Sequence, residues 1–368
     1  MNRNNIWVVL GFLGFLVLIT IGIVLYASGF RLDLSQRTFA KTGMILVKSL
    51  PDGARVFLDE KLTGATDSTV GSLEPGTYHL KIEKEGYISW ERDVEVKAEL
   101  VTAITAILPP ISPSLTAITQ KGARLVTAAP SGTKAAFLSG DKLFLLPLNS
   151  PFLGFLRTRT QEIAPEPTDF PFSKVTRIEF SPNEDQLLLT AGGKALLFKI
   201  QTGASAVKVT NPDALRTQWQ NLVKEQRSEA IKTLEIPDEF KDLALTTSNV
   251  WSPDERKFLY EKSADGKRQI WVANFTDPLP VSDETNRMIL ETTNAKLKIF
   301  WLASSQHFAL IEGDVVSILD LDGTNKREIF SGKIAEAVAL SSTDLAKVII
   351  VTSISSNSPA NLYGIGLR

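Results

Sequence analysis

The chain has 368 residues, enough for more than one domain, and its 43% hydrophobic and 22% charged composition is that of ordinary globular protein rather than extended disorder. A formal net charge of −1 supplies no electrostatic attraction for nucleic acid, so no nucleic-acid partner is expected. The absence of cysteine excludes a disulfide framework, a cysteine nucleophile and a thiolate metal site, and the two histidines, His79 and His307, stand far apart in strand-like surroundings that argue against zinc.

In chain order, the first element is Ile6 to Tyr26, 21 residues without a charge. At about 1.5 Å per residue such a helix crosses a bilayer core of roughly 30 Å. It is longer than the core of a signal peptide, about 7–15 residues, although small residues at Ala27 and Gly29 resemble a cleavage site. The expectation is one uncleaved transmembrane helix, an anchor over 1–30 held by membrane lipid, then a juxtamembrane linker over 31–42. The flanking charges conflict with export of the C-terminal part. Arg3 and the amino terminus lie on one side, against Arg31, Arg37 and Lys41 on the other. Long domains translocate despite such charges. The expected location is the cell membrane, single-pass, with the later domains extracytoplasmic.

Residues 43–108 read as short strands separated by turns. Ile45, Val47 and Ser49 alternate with Met44, Leu46 and Lys48. Pro51-Asp52-Gly53 makes a turn before Arg55–Leu58, and Pro75-Gly76 precedes a strand in which Tyr78, Leu80 and Ile82 share a face. Gly86 breaks that strand, and another follows around Arg92–Val96. Period-two alternation with Pro and Gly punctuation predicts a small antiparallel sandwich.

The motifs Pro51-Asp52-Gly53-Ala54, Glu74-Pro75-Gly76-Thr77 and Lys84-Glu85-Gly86-Tyr87 occur here in the order of the PEGA domain, which 43–108 resembles. Glu60 stands where that family usually has a turn glycine or asparagine, and Gly64-Ala65-Thr66-Asp67 lacks the family's proline. The resemblance implies a non-enzymatic β-sandwich of the kind attached to envelope or surface proteins.

The remainder, 113–368, repeats one plan: a strand, a Ser-Pro-x-x turn, a second strand, a tight turn and a third strand. The turns are Ala129-Pro130-Ser131-Gly132, Ser181-Pro182-Asn183-Glu184 and Ser252-Pro253-Asp254-Glu255. Ala303-Ser304-Ser305 replaces the proline turn in the fourth copy, and Ser341–Asp344 serves in the fifth. Proline presets φ, and Ser, Asn or Asp can bond the local backbone. The runs QEIAP, AVKVT, RMILET and REIF serve as fourth strands. The fifth copy has none before Arg368, so 113–120 is expected to complete it. Repeats of four strands predict a β-propeller of about five blades, and an all-β fold overall. Trp251-Ser252-Pro253-Asp254 and Ile270-Trp271-Val272 resemble the signature of TolB-like and WD-type propellers.

One insertion, 211–236, reads as helix. Asn211 suits the N-cap and Pro212 the first turn, while Leu215, Trp219, Leu222 and Val223 recur at helical spacing. Its apolar face predicts packing on the propeller's rim or end, with partner docking as the sharper alternative.

A search for chemistry assigns no catalytic, cofactor-binding or metal-binding residue, and no cofactor is expected. Asp320–Glu328 superficially suggests calcium, but its Gly323 is fourth where an EF-hand needs it sixth. Glu184-Asp185 and Asp254-Glu255 sit in repeated turns, where solvation explains them. Two function classes remain. The first is a membrane-anchored, non-catalytic binding or scaffolding protein of the cell envelope, with a protein or envelope polysaccharide as ligand. The alternative is an envelope-associated hydrolase on a propeller scaffold.

Overall fold

The structure is a computed structural model that describes residues 3–27, 30–33, 38–149, 160–281, 283–355 and 358–368. Helix α1 covers Arg3–Ala27, and its side chains are described from Gly11 to Val24, where they are exposed. Among the described residues no helix is long and apolar enough to cross a membrane; the rest of the expected anchor's side chains lie outside them. Strands β1 (Phe30–Asp33) and β2 (Thr38–Lys41) pair antiparallel, with Phe30 opposite Lys41. The segment 31–42 therefore contains a hairpin rather than the plain linker expected. Its signal is short: Phe30 and Leu32 alternate with Arg31 and Asp33.

The first folded unit holds β3 (Gly43–Leu50), β4 (Arg55–Leu58), β5 (Lys61–Ala65), β6 (Ser68–Leu73), β7 (Gly76–Glu83), β8 (Trp90–Val96) and β9 (Val101–Ile107). They form two sheets, ordered β6-β3-β9 and β5-β4-β7-β8. Ile45 and Val47 point inward onto Val56, Leu80, Ile82, Trp90 and Val94 as a buried set, and Met44 and Lys48 point out, as the alternation requires. One correction concerns direction. β9 lies parallel to β3, because the chain crosses from one sheet to the other between β8 and β9 and returns beside its first strand. Asp59 and Glu60 form the two-residue β4–β5 turn with φ of 46° and 65°. A turn with both central residues left-handed favours Asn and Gly, so Glu60 carries strain of about 1 kcal/mol there.

The second unit opens with β10 (Leu115–Ala117), and four-stranded antiparallel sheets follow. Blade 1 is β11 (Arg124–Ala128), β12 (Lys134–Ser139), β13 (Lys142–Pro147) and β14 (Gln161–Pro165). Blade 2 is β15 (Arg177–Phe180), β16 (Gln186–Ala191), β17 (Lys194–Lys199) and β18 (Ala206–Val209). Helices α2 (Pro212–Lys232) and α3 (Asp238–Ala244) come next. Blade 3 is β19 (Val250–Trp251), β20 (Lys257–Ala264), β21 (Lys267–Asn274) and β22 (Asn286–Thr292). Blade 4 is β23 (Lys298–Trp301), β24 (His307–Glu312), β25 (Val315–Asp320) and β26 (Arg327–Ser331). Blade 5 is β27 (Ile334–Ser341), β28 (Lys347–Thr352) and β29 (Asn361–Gly366), with β10 as its fourth strand. The N-terminal strand thus closes a β-propeller, Leu115 lying opposite Ile365. A shared core joins blade 5 to blade 1 through Phe137, Leu146, Leu340, Ile349 and Val351.

The repeat is written in the backbone. The N–H groups of Leu148, Ile200, Phe275, Leu321 and Leu367 donate to the carbonyls of Thr133, Asp185, Arg256, Gln306 and Ala346 respectively, at 2.7–2.9 Å. The residue before each acceptor is left-handed: Gly132, Glu184, Glu255, Ser305 and Leu345 have φ of 55–67°. By this register the fifth turn is Ser342–Leu345, closed by the Leu345 N–H on the Ser342 carbonyl, one residue later than expected. The fourth turn survives without proline because its essential requirement is the left-handed residue, Ser305.

The insertion departs from expectation in place and extent. Along β20, Leu259 packs toward blade 4 with Phe308 and Leu310. Its neighbours Phe258 and Tyr260 face the other way, and there they meet Ile231, Leu234, Ile236, Phe240 and Ala244 instead of blade 2. On blade 2, Ile178, Leu187 and Leu189 face blade 1. The opposite face presents Glu179 and Thr190, and Arg216 of α2 bonds both, its Nε 2.9 Å from Glu179 and its Nη2 2.9 Å from Thr190 Oγ1. The helix pair therefore stands between blades 2 and 3, not on the rim. Leu215, Trp219, Leu222 and Val223 are each half-buried. Asn211 caps α2 as expected, its Oδ1 accepting the Ala214 N–H at 3.0 Å.

Candidate functional site

Backbone N–H groups and short side chains of the turns join neighbouring blades. The Glu184 carboxylate of blade 2 accepts the Ser131 N–H at 2.5 Å and its hydroxyl at 2.9 Å from blade 1. Asp254 N–H donates to Ser305 Oγ at 3.0 Å, joining blades 3 and 4. Ala303 N–H donates to Ser341 Oγ at 2.8 Å, joining blades 4 and 5, and Thr343 N–H donates to the Leu148 carbonyl at 3.0 Å, joining blades 5 and 1. At the remaining junction the blade 2 turn meets the helix instead: Gln226 Nε2 donates to Asn183 Oδ1 at 3.0 Å.

The carboxylate pairs read from sequence are split between different partners. Asp185 accepts the Ser181 hydroxyl at 2.8 Å. Asp254 accepts the Lys257 ammonium at 2.7 Å, and Lys257 is 1% exposed. Burial pushes the Asp254 carboxyl up, but the Lys257 ammonium and the Ser252 hydroxyl outweigh it and hold the group below the usual carboxylate range. In blade 4 the same two places are filled by Ser304 and His307, whose Oγ and Nδ1 lie 2.9 Å apart. His307 is 1% exposed, and its Nε2 lies 3.6 Å from Asp320 Oδ1. The motif around Gly323 is a hairpin turn: a Cβ on Gly323 would stand 2.4 Å from the Ile289 carbonyl, so only glycine fits. His79, on the outer face of the first unit, bonds Asp93 at 2.8 Å, which raises its pKa. Among the described residues no cluster of His, Asp and Glu could hold a metal ion.

Concave surface lies along the helix seam. One cavity of about 380 Å³ is lined by Leu234 and Glu235 beyond α2 and by Glu255, Arg256, Phe275 and Asp277 of blade 3. A second, of about 640 Å³, lies between Glu239, Phe240 and Asp242 of α3 and Tyr260, Lys262 and Asn286 of blade 3. Lys262 Nζ sits 4.5 Å from the Trp271 ring centroid and 5.4 Å from that of Tyr260. Tyr260 donates its hydroxyl to Asn286 Oδ1 at 2.7 Å. Aromatic surface, an ammonium and carboxylates in one cleft suit a ligand that carries both apolar faces and polar groups. Sequence reasoning used Trp271 as a repeat marker and passed over Tyr260 and Lys262. Their spacing is only strand alternation until α3 closes over them.

Residues 42–112 match the PEGA domain. No curated protein matches the chain. Similar solved structures include TolB from Acinetobacter baumannii, at 14% identity over 78% of this chain and 60% of that one, with a TM-score of 0.26. Oligogalacturonate lyase from Vibrio parahaemolyticus is 10% identical over 89% and 99%, with a TM-score of 0.32. Hsv2 of Kluyveromyces lactis is 9% identical over 89% and 75%, with a TM-score of 0.22. At this distance the propeller assignment rests on the chain's own sheet order and repeated bonds. The chain joins a segment matching the PEGA domain to a β-propeller similar to those of TolB.

Proposed function

We propose that the protein is a membrane-tethered, non-catalytic binding or scaffolding protein of the cell envelope. The N-terminal helix holds it in lipid, the PEGA-like unit spaces it from the bilayer, and the propeller meets a protein or polysaccharide at the helix seam. The observation that carries this reading is a division of labour. The polar groups of the turns are bonded within a blade, to the next blade or to α2, whereas α2 and α3, which belong to no repeat, build both clefts. A reporter fused to the C-terminus and active only outside the cytoplasm tests the location, together with protease shaving of intact bacteria. An active reporter and a shaved domain support it. A silent reporter and a protected domain would leave a cytoplasmic membrane scaffold.

The hydrolase alternative has one observation in its favour, the Ser304–His307–Asp320 alignment. Against it, His307 is buried and occupies the place that Lys257 occupies in blade 3. Turnover of envelope glycans or esters that is lost in Ser304→Ala would restore it.

A further inference from the structure

The outer face of the β6-β3-β9 sheet ends in an apolar patch. Met44 is 39% exposed, and Leu100 and Val101 are each 48% exposed. Met44 lies opposite Val101, and its N–H donates to the Leu100 carbonyl at 3.1 Å. The Glu99 N–H donates to the Thr42 carbonyl at 3.0 Å, so the β8–β9 turn is bonded on both sides of Gly43. A Cβ on Gly43 would stand 2.3 Å from the Lys97 carbonyl, which makes glycine necessary for this close approach. The patch is thus fixed rigidly to the chain that arrives from α1.

The hairpin determines where that chain arrives. Phe30, three residues beyond the end of α1, is opposite Lys41, three residues before Met44. With about 3.5 Å per residue and about 5.5 Å across an antiparallel pair, Met44 lies within about 27 Å of Ala27. An extended chain of that length reaches roughly 60 Å. Lys41, ion-paired to Glu99 at 3.1 Å, rims the patch with a polar edge.

We infer that Met44, Leu100 and Val101 form a foot that sits in the interface of the bilayer holding α1. The inference rests on α1 being a membrane anchor. A loop tip of apolar side chains, held near a membrane surface and edged by a lysine, matches what interfacial insertion requires. The occupant argued for is lipid, because the hairpin keeps the patch within about 27 Å of Ala27, the end of α1.

The cysteine-free sequence permits a direct test. Single variants Leu100→Cys, Lys48→Cys and Phe15→Cys of the full chain are labelled with a polarity-sensitive fluorophore and placed in phosphatidylethanolamine–phosphatidylglycerol vesicles. Leu100→Cys is expected to shift to the blue, to be quenched by shallow lipid nitroxides and to be shielded from iodide. Lys48→Cys, at the far end of β3, is expected to stay accessible to iodide. If Phe15→Cys is quenched by lipid but Leu100→Cys remains aqueous, the foot is overturned and the anchor stands. If Leu100→Cys is shielded from both quenchers, protein covers the patch and the inference fails. If Phe15→Cys is not quenched by lipid, the anchor itself falls, and the foot with it.

Discussion

Four of the propeller's junctions are made by turns, and the one between blades 2 and 3 is made by helices. Where blades meet directly, each closes on the next through backbone N–H groups and short side chains, and apolar faces such as Leu259 and Phe308 are fully covered. At the helical junction the blade face is equally buried, with Phe258 at 0% exposure, but no residue of α2 is buried. Here α3 and the segment before it complete the blade's core through Ile236, Phe240 and Ala244, while α2 keeps its own stripe half open. The repeat supplies rigidity, and the irregular junction supplies concave surface.

The largest expected effect tests the buried side of that junction. Phe258→Ala removes a ring packed on Trp251, Tyr260 and Phe275 and should cost about 3–5 kcal/mol in denaturant unfolding. Leu222→Ala, on the half-buried helix face, should cost about 1 kcal/mol. Equal losses would erase the distinction between the two sides.

The turn of blade 3 should depend on the ion pair between Asp254 and buried Lys257. Asp254→Ala leaves the Lys257 ammonium buried without its carboxylate and should destabilise by about 3 kcal/mol. The double variant Asp254→Ala with Lys257→Met should recover much of that loss. Because the folded Asp254 pKa is lowered, the pair's contribution is present above the unfolded aspartate value, near about 3.9, and is lost as pH falls through the lower folded value. Acid unfolding monitored with and without the double substitution checks this sign.

Smaller effects separate helix from blade. Asn211→Ala removes the α2 cap and should cost about 1 kcal/mol, visible as faster amide exchange over 212–232 with the blade strands unchanged. Faster amide exchange in every blade would instead make the helix part of the common core. Smallest of all, Glu255→Gly places glycine where blade 1 already has Gly132 and should stabilise the propeller by up to about 1 kcal/mol. A loss would mean that the Glu255 side chain matters more than its left-handed backbone.

Much of the repeat was legible in the sequence because its punctuation is local. Pro130, Pro182 and Pro253 mark turns, and QEIAP, AVKVT, RMILET and REIF fall in the fourth strands of blades 1 to 4. The assignment of 113–120 to the last blade followed from a missing strand, and β10 is where that count requires it. The half of the fold that depends on distant partners was not legible. Periodicity shows that Leu215, Trp219, Leu222 and Val223 share a face but cannot say which blade they cover. The parallel β3–β9 pair is invisible for the same reason. Helix α3 was missed because Pro237 interrupts the pattern and only seven residues follow in helix. The clefts were illegible altogether: Tyr260 and Lys262 come from a strand, Glu239 and Asp242 from a short helix, and nothing in their spacing joins them.

The most direct measurement of the central claim places a photoreactive amino acid at Glu239, on the seam, and separately at Lys194, on an exposed blade hairpin. Both full-length proteins are irradiated in cells. Discrete adducts are expected from Glu239 and none from Lys194. Adducts from Lys194 with a silent Glu239 would contradict this, and would move the binding surface from the helix seam to the repeated blades.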